Sequence, residues 1–274
     1  MNWLQGLLYG FVSGFTGFLP ISSHAHQILL LKLFGIETPD PMVSLLVRCA
    51  VLFSLYSGMR AVLEQIRRER KLRTDRRRMH TTYRSLQDFQ LVRNAILPQV
   101  LLLLLFTYIS RMNTGLPTLS VFLLINGVIL YIPERMLRGN KDAGIMSYLD
   151  SLLLGVSGAL SAFSGISHIG TTVSAAVARG ADRSKALNWS LLLSFPLLFV
   201  FIGIDFFDVI SNSEHVHFWQ NFFTYLLSAT GAYLGGYLGI IFIKFLTPRT
   251  SYSGFAYYSW GMALFTFLLY LIAA

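Results

Sequence analysis

The chain has 274 residues, of which 54% are hydrophobic and only 13% charged, with a formal net charge of +9. That charge density is about half of what a soluble domain carries, so a water-soluble globule of this length is excluded. A single cysteine, Cys49, excludes an internal disulfide framework.

In chain order, residues 3–34 come first. They are apolar but interrupted by Gly6, Gly10, Gly14, Gly17 and Pro20, then by Ser22, Ser23, His24 and His26. No cleavable signal peptide is expected, because the start lacks a basic segment. Uninterrupted apolar runs follow at about 42–58, 92–109 and 116–132. A second interrupted segment covers 147–178 and carries Gly155, Gly158, Ser164, Gly165, Ser167, His168, Gly170, Thr171 and Thr172. Three more apolar runs, 187–204, 222–245 and 253–273, complete the chain. The six uninterrupted runs have the length of spanning helices. Broken backbone at membrane depth is tolerated only inside protein or beside a wet cavity, so both interrupted segments are expected to be re-entrant helical hairpins.

Charge sets the expected orientation. Residues 60–84 hold ten Lys/Arg against Glu64, Glu69 and Asp75. Arg135, Arg138 and Lys141 follow in 133–146, Arg179, Arg183 and Lys185 in 179–185, and Lys244 and Arg249 in 244–249. The stretch 36–41 carries Glu37 and Asp40, and 205–216 carries Asp205, Asp208 and Glu214 without Lys or Arg. Excess positive charge marks the cytoplasmic side. Six crossings and two re-entrant hairpins satisfy these loops with both termini outside; Arg111 alone dissents. The basic segment of about 60–90 is expected to be a solvated cytoplasmic loop touching anionic headgroups. Without aromatic interleaving or a binding fold, a nucleic-acid role is rejected.

An internal repeat is also visible. Phe18-Leu19-Pro20-Ile21-Ser22-Ser23 resembles Phe163-Ser164-Gly165-Ile166-Ser167-His168. Each stands in an interrupted segment followed by three spans, and the two enter from opposite sides. The expected fold class is therefore an all-α integral membrane protein, six transmembrane helices plus two re-entrant hairpins in an inverted-topology repeat. It forms one domain over 1–274, with repeats of about 1–140 and 141–274, and a ligand site where the broken segments meet.

Polar and ionisable groups at that depth are costly and usually face a cavity. Hydroxyls back-bonded to helix carbonyls are the bland alternative. A serine near a histidine suggests a nucleophile with its acid/base, and helix N-termini at the hairpin tips suit an anion. Arg48, alone in the run 42–58, is either the cation for a phosphate or a structural residue reaching a headgroup.

At these residues the chain resembles the bacterial undecaprenyl-diphosphate phosphatase family, the bacitracin-resistance proteins. The family's first motif, roughly E-G-x-T-E-F-L-P-[IV]-S-S-[TS]-[GA]-H, reads here from Ser13 through Gly14, Gly17, Phe18, Leu19, Pro20, Ile21, Ser22, Ser23 and His24 to His26. The second, roughly P-G-x-S-R-S-G-x-T, reads Ser164-Gly165-Ile166-Ser167-His168-Ile169-Gly170-Thr171-Thr172. Gly180, Arg183, Ala186, Ser190, Leu192 and Pro196 fit a downstream pattern, and Pro98 and Tyr258 fall where the family has them.

The resemblance implies a plasma-membrane enzyme that converts undecaprenyl diphosphate to the monophosphate at the outer face, recycling the cell-wall lipid carrier. It also implies an outward-opening site and dimers. Ser23 aligns with the nucleophile and His26 with its catalytic histidine, while Ser22 and Ser167 align with phosphate-binding hydroxyls. Thr171, Thr172, His24, His168 and Arg48 complete the expected phosphate site.

The departures bear on chemistry. Ser13 and Gly17 replace both motif glutamates, His168 replaces the motif arginine, Ile169 the serine after it, and the acid usual near Asn188 is absent. The family's divalent cation thus lacks its expected ligands; three histidines could instead take a transition metal, but no spacing supports it, so no metal ligand is assigned. Two functions remain open: a variant polyprenyl-diphosphate phosphatase, or an inactive relative that binds or flips a polyprenyl or other lipid phosphate.

Overall fold

The computed structural model describes residues 1–74, 84–110, 115–136, 139–212 and 219–273, with side chains to residues 72 and 272 in the first and last stretches. Asp75, Arg111, Arg138, Glu214 and the middle of the basic run therefore lie outside the described residues.

Ten α-helices account for the described secondary structure, apart from a 3-10 turn at Leu160–Ala162 and a lone bridge between Lys141 and Ala181. The six uninterrupted runs become α3 (Pro41–Thr74), α4 (Arg84–Ser110), α5 (Leu116–Glu134), α8 (Arg183–Ser211), α9 (Phe222–Leu246) and α10 (Ser253–Ala273). All six are long and apolar enough to cross a bilayer. The chain is a multi-pass membrane protein.

Two boundaries differ from expectation for physical reasons. The basic run is helical over 60–74 and from Arg84 onward rather than a loop. Arg, Lys, Glu and Leu are good helix formers, and Glu64 pairs with Arg60 at 2.9 Å and Arg68 at 3.9 Å, one turn away on either side. α8 also continues past 204 to Ser211, so Asp205 and Asp208 belong to a helix and not to an outer loop.

The interrupted segments form α1 (Trp3–Gly17) with α2 (Ser23–Leu33), and α6 (Tyr148–Ala159) with α7 (His168–Ala178). At about 1.5 Å per residue none of the four reaches the ~30 Å hydrocarbon thickness. The same devices recur five helices apart. Asn2 with Gln5 and Ser147 with Asp150 form capping boxes at the starts of α1 and α6. Ser22 and Ser167 cap α2 and α7. α1 packs on α9, and α6 packs on α4.

The α1–α9 contact is backbone to backbone. A Cβ built on Gly10 would strike the Ser228 carbonyl, and one on Gly14 the Ala232 carbonyl. Gly10→Leu should therefore pry the helices apart, with a loss exceeding the ~1–3 kcal/mol of ordinary overpacking. Gly261→Ala, where a Cβ meets open space, is the control. Thermal melting in detergent should drop sharply for the first and stay level for the second.

Candidate functional site

The two breaks are tied to each other through their capping serines. Ser22 Oγ accepts from Ala25 N–H at 3.3 Å and from Gly165 N–H, across the break, at 3.1 Å. Ser167 Oγ accepts from Gly170 N–H at 3.2 Å and donates to the Leu19 carbonyl at 3.0 Å. Gly165 reaches Ser22 with φ at +112°, and a Cβ there would lie 2.7 Å from Phe122 Cβ, so only glycine suits the position.

Asn126 of α5 locks the arrangement. Its Oδ1 accepts from Ser167 N–H at 2.9 Å, and its Nδ2 donates to Ser259 Oγ at 2.9 Å and to the Pro20 carbonyl at 3.4 Å. The expected site omitted Asn126. Its signal was an amide inside the apolar run 116–132, where an unpaired polar group would be prohibitive.

Between the breaks, α3 and α8 lies a cavity of about 120 Å³. One water needs ~10–15 Å³ by this measure, so the space admits several waters or a phosphoryl group. Ser13, Ser23, His24, Gln27 and Arg48 line it from the first half of the chain, and Ser161, Ser167, His168 and Ser194 from the second. Phe18, Val47, Val51, Leu197, Leu198 and Phe201 are among its apolar walls. Ser13 and Gly17, the positions of the missing glutamates, both face it.

Ser23 is the first residue of α2, and His168 is the first of α7. Two helix N-termini, with unsatisfied N–H groups and partial positive charge, thus converge on one space. Ser23 Oγ donates to the Ser13 carbonyl at 3.0 Å and receives a long 3.5 Å contact from Gln27 Nε2. His24 has no hydrogen bond among the described residues, and its ring borders the cavity.

Arg48 is held by Asp205 of α8, Nε to Oδ2 at 2.6 Å, with the guanidinium 4.6 Å from the Phe201 ring centroid. The two side chains are 23% and 7% exposed, so this arginine borders the cavity from within protein and does not reach for a headgroup. The partner went unforeseen because Asp205 was read as part of a loop.

His168 sits in a defined hydrogen-bond frame. Gln99 Nε2 donates to His168 Nε2 at 3.3 Å and to the Leu193 carbonyl at 3.1 Å. Nδ1–H then donates to Ser194 Oγ at 3.2 Å, which passes its own proton to the Ser190 carbonyl at 3.0 Å. This is the pattern of a neutral imidazole. Gln99 Oε1 is buried without a partner among the described residues. Turning the amide over would offer that oxygen to an imidazolium, at the expense of the Leu193 bond.

Four of the expected residues lie elsewhere. His26 projects toward α10: Nδ1–H donates to the Ser22 carbonyl at 2.6 Å, Nε2 accepts from Tyr258 OH at 2.7 Å, and the rings stack at 5.8 Å. Ser22 is committed to the cap. Thr171 donates to the Ser167 carbonyl at 2.9 Å, and Thr172 to the His168 carbonyl at 2.7 Å while also touching Ser190. None of these four borders the cavity.

A model of the family described as bacitracin resistance protein BacA matches residues 6–265. The chain belongs to that family. Among its relatives, the undecaprenyl-diphosphatase of Halothermothrix orenii is 26% identical over 274 residues, covering 98% of each chain. The undecaprenyl-diphosphatase of Carboxydothermus hydrogenoformans is 27% identical over 261 residues, 95% of this chain and 94% of its own. That of Methanobrevibacter smithii is 28% identical over 277 residues, 98% of each.

The cavity does not fit the divalent cation that the BacA resemblance implies. Hard cations want several carboxylate oxygens. Ser13 and Gly17 supply none, the nearby Asp205 is bound to Arg48, and among the described residues no three His, Cys, Asp or Glu side chains are grouped to hold a metal ion.

Proposed function

We propose that this BacA-family chain is a polyprenyl-diphosphate phosphatase of the undecaprenyl type, working at the outer face of a bacterial plasma membrane. The observation that carries the reading is Ser23 at the first position of α2, bordering a cavity shared with His24, Arg48 and His168. Such a site offers a nucleophile, two helix N-termini and a cation to one anionic group.

The architecture supports it. Each broken segment is too short to cross alone, the capping devices recur five helices apart, and α1–α9 mirrors α6–α4. We take these as two re-entrant hairpins in an inverted repeat, whose tips meet at the ligand site. Asp40, Asp205 and Asp208 line a space adjoining Arg48 through Asp205, and we take this end, with no Lys or Arg in that lining, as the outer one.

In this reading Ser23 Oγ attacks the terminal phosphorus. Its proton passes to an imidazole, the bond from phosphorus to the bridging oxygen breaks, and lipid monophosphate leaves; water, giving its proton to the same base, then splits the phosphoserine into free serine and inorganic phosphate. Arg48, His24 and the N–H groups at the two helix starts hold the phosphoryl oxygens; His168 would join them by leaving Ser194 or Gln99, and Ser167 by leaving the Leu19 carbonyl. His26, the acid/base by resemblance, would exchange Tyr258 for Ser23 by turning its ring; His24 is the imidazole already beside the cavity.

A second reading has its own observation. The Ser23 proton goes to a backbone carbonyl, and serine and glycine occupy the places of two motif carboxylates. That suits binding or flipping of a lipid phosphate without turnover. Phosphate release from farnesyl or C55 diphosphate by purified protein, with and without divalent cation, decides between them. Release supports the phosphatase; no release under any metal, with lipid monophosphate still bound, transfers the assignment to the second reading.

A further inference from the structure

A second cavity, of about 700 Å³, lies on the flank of the bundle between α3, α4 and α8. Its walls include Ile66, Val92, Ile96, Leu192, Phe195 and Phe199. It opens sideways, since Phe89 and Phe199 on its rim are 38% and 61% exposed. In a bilayer the only abundant material that fills a sideways apolar groove is lipid.

The groove is not apolar throughout. Arg67, Arg70 and Arg93 line it together. Among the described residues neither Arg67 nor Arg93 forms an ion pair or hydrogen bond. The nearby acids are outside the lining: Glu64 pairs with Arg60 and also acts on Arg67 through space, Glu69 accepts from the Leu86 N–H at 3.0 Å, and Asp88 from Trp189 Nε1 at 2.7 Å. An apolar slot carrying three arginines, of which Arg67 and Arg93 have no ion pair among the described residues, is complementary to an acyl chain ending in an anionic headgroup.

Depth selects among such lipids. Past Arg93 the apolar wall is Ile96 on α4 and Leu192 to Phe199 on α8, and seven residues of helix rise about 10 Å, within one leaflet of a ~30 Å core. That length takes the upper part of a phospholipid tail, whereas most of a long polyprenyl chain would lie beyond it. We propose that this groove is a binding site for an anionic phospholipid of the phosphatidylglycerol type, with its phosphate on Arg67 and Arg93 and its acyl chain against α4 and α8. The assignment is independent of the reading of the Ser23 cavity.

Native mass spectrometry of delipidated full-length protein tests it, with phosphatidylglycerol and phosphatidylcholine of identical chains as probes. Wild type should retain phosphatidylglycerol preferentially. The double variant Arg67→Gln/Arg93→Gln should lose about thirtyfold in that affinity, roughly fivefold per arginine, and Arg67→Lys/Arg93→Lys should keep most of it. Leu192→Trp, which fills the slot and leaves the arginines intact, should also weaken retention, and it serves if the arginine variants do not fold. Equal retention of both phospholipids by wild type, or undiminished phosphatidylglycerol on the glutamine variant, overturns the proposal. So does preferential displacement by a polyprenyl monophosphate.

Discussion

Ser23→Ala should lower phosphate release from a lipid diphosphate by about a thousandfold or more, because losing a covalent nucleophile forfeits the whole serine-dependent route. Binding of lipid monophosphate should change little. The substitution removes only the Oγ that rests on the Ser13 carbonyl, while the cap of α2 comes from Ser22 and stays intact. The two histidines divide the rest of the chemistry. Loss of a general acid/base costs about 10²–10⁴-fold in rate. If His26 turns in from Tyr258 to serve, His26→Ala falls by that factor and His24→Ala mainly weakens binding. If the imidazole already at the cavity serves, the two outcomes exchange. Full release by Ser23→Ala would remove the covalent route altogether.

How far the residues announced this arrangement depends on which interactions are local. Hydropathy and charge disclosed the six spans because burial in lipid acts on each run separately. The breaks were legible for the same reason: glycine, proline and capping serines act within a few residues of themselves. Direction was harder. The family resemblance paired Ser23 with His26, yet His26 faces α10 and its neighbour His24 faces the cavity, because the helix start at Ser22 fixes which side each residue takes. Long-range partners were hidden entirely. Asp205 stood in an expected loop, and nothing local singles out Gln99 or Asn126, since only the folded bundle brings them to Arg48, His168 and the breaks. Among the described positions the motif glutamates' replacements, Ser13 and Gly17, did fall in the cavity wall, so the departure from the family pattern bears directly on the site.

The ion pair between Arg48 and Asp205 should produce the second large effect, and there fold and function can be separated. Arg48→Met takes from Asp205, only 7% exposed, the guanidinium that faces its carboxylate at 2.6 Å. Breaking a buried pair in this way destabilises by about 3–5 kcal/mol, so the variant should melt far below wild type or fail to accumulate. Replacing both members is different. Apolar residues of similar volume in place of a buried pair are often neutral or stabilising, and Phe201 already lies against the guanidinium. Arg48→Met/Asp205→Leu should therefore recover most of the lost stability, giving a large coupling in a double-mutant cycle. It should not recover function. Without the cation the cavity loses a charge-assisted bond to phosphate worth about 1.5–3 kcal/mol, so lipid monophosphate affinity should drop by roughly ten- to a hundredfold. A double variant as unstable as the single would show that pairing is not what holds Arg48 in place. A stable double variant that still binds lipid phosphate at wild-type affinity would remove Arg48 from the site, leaving the two helix N-termini and the histidines as its only attractions for an anion.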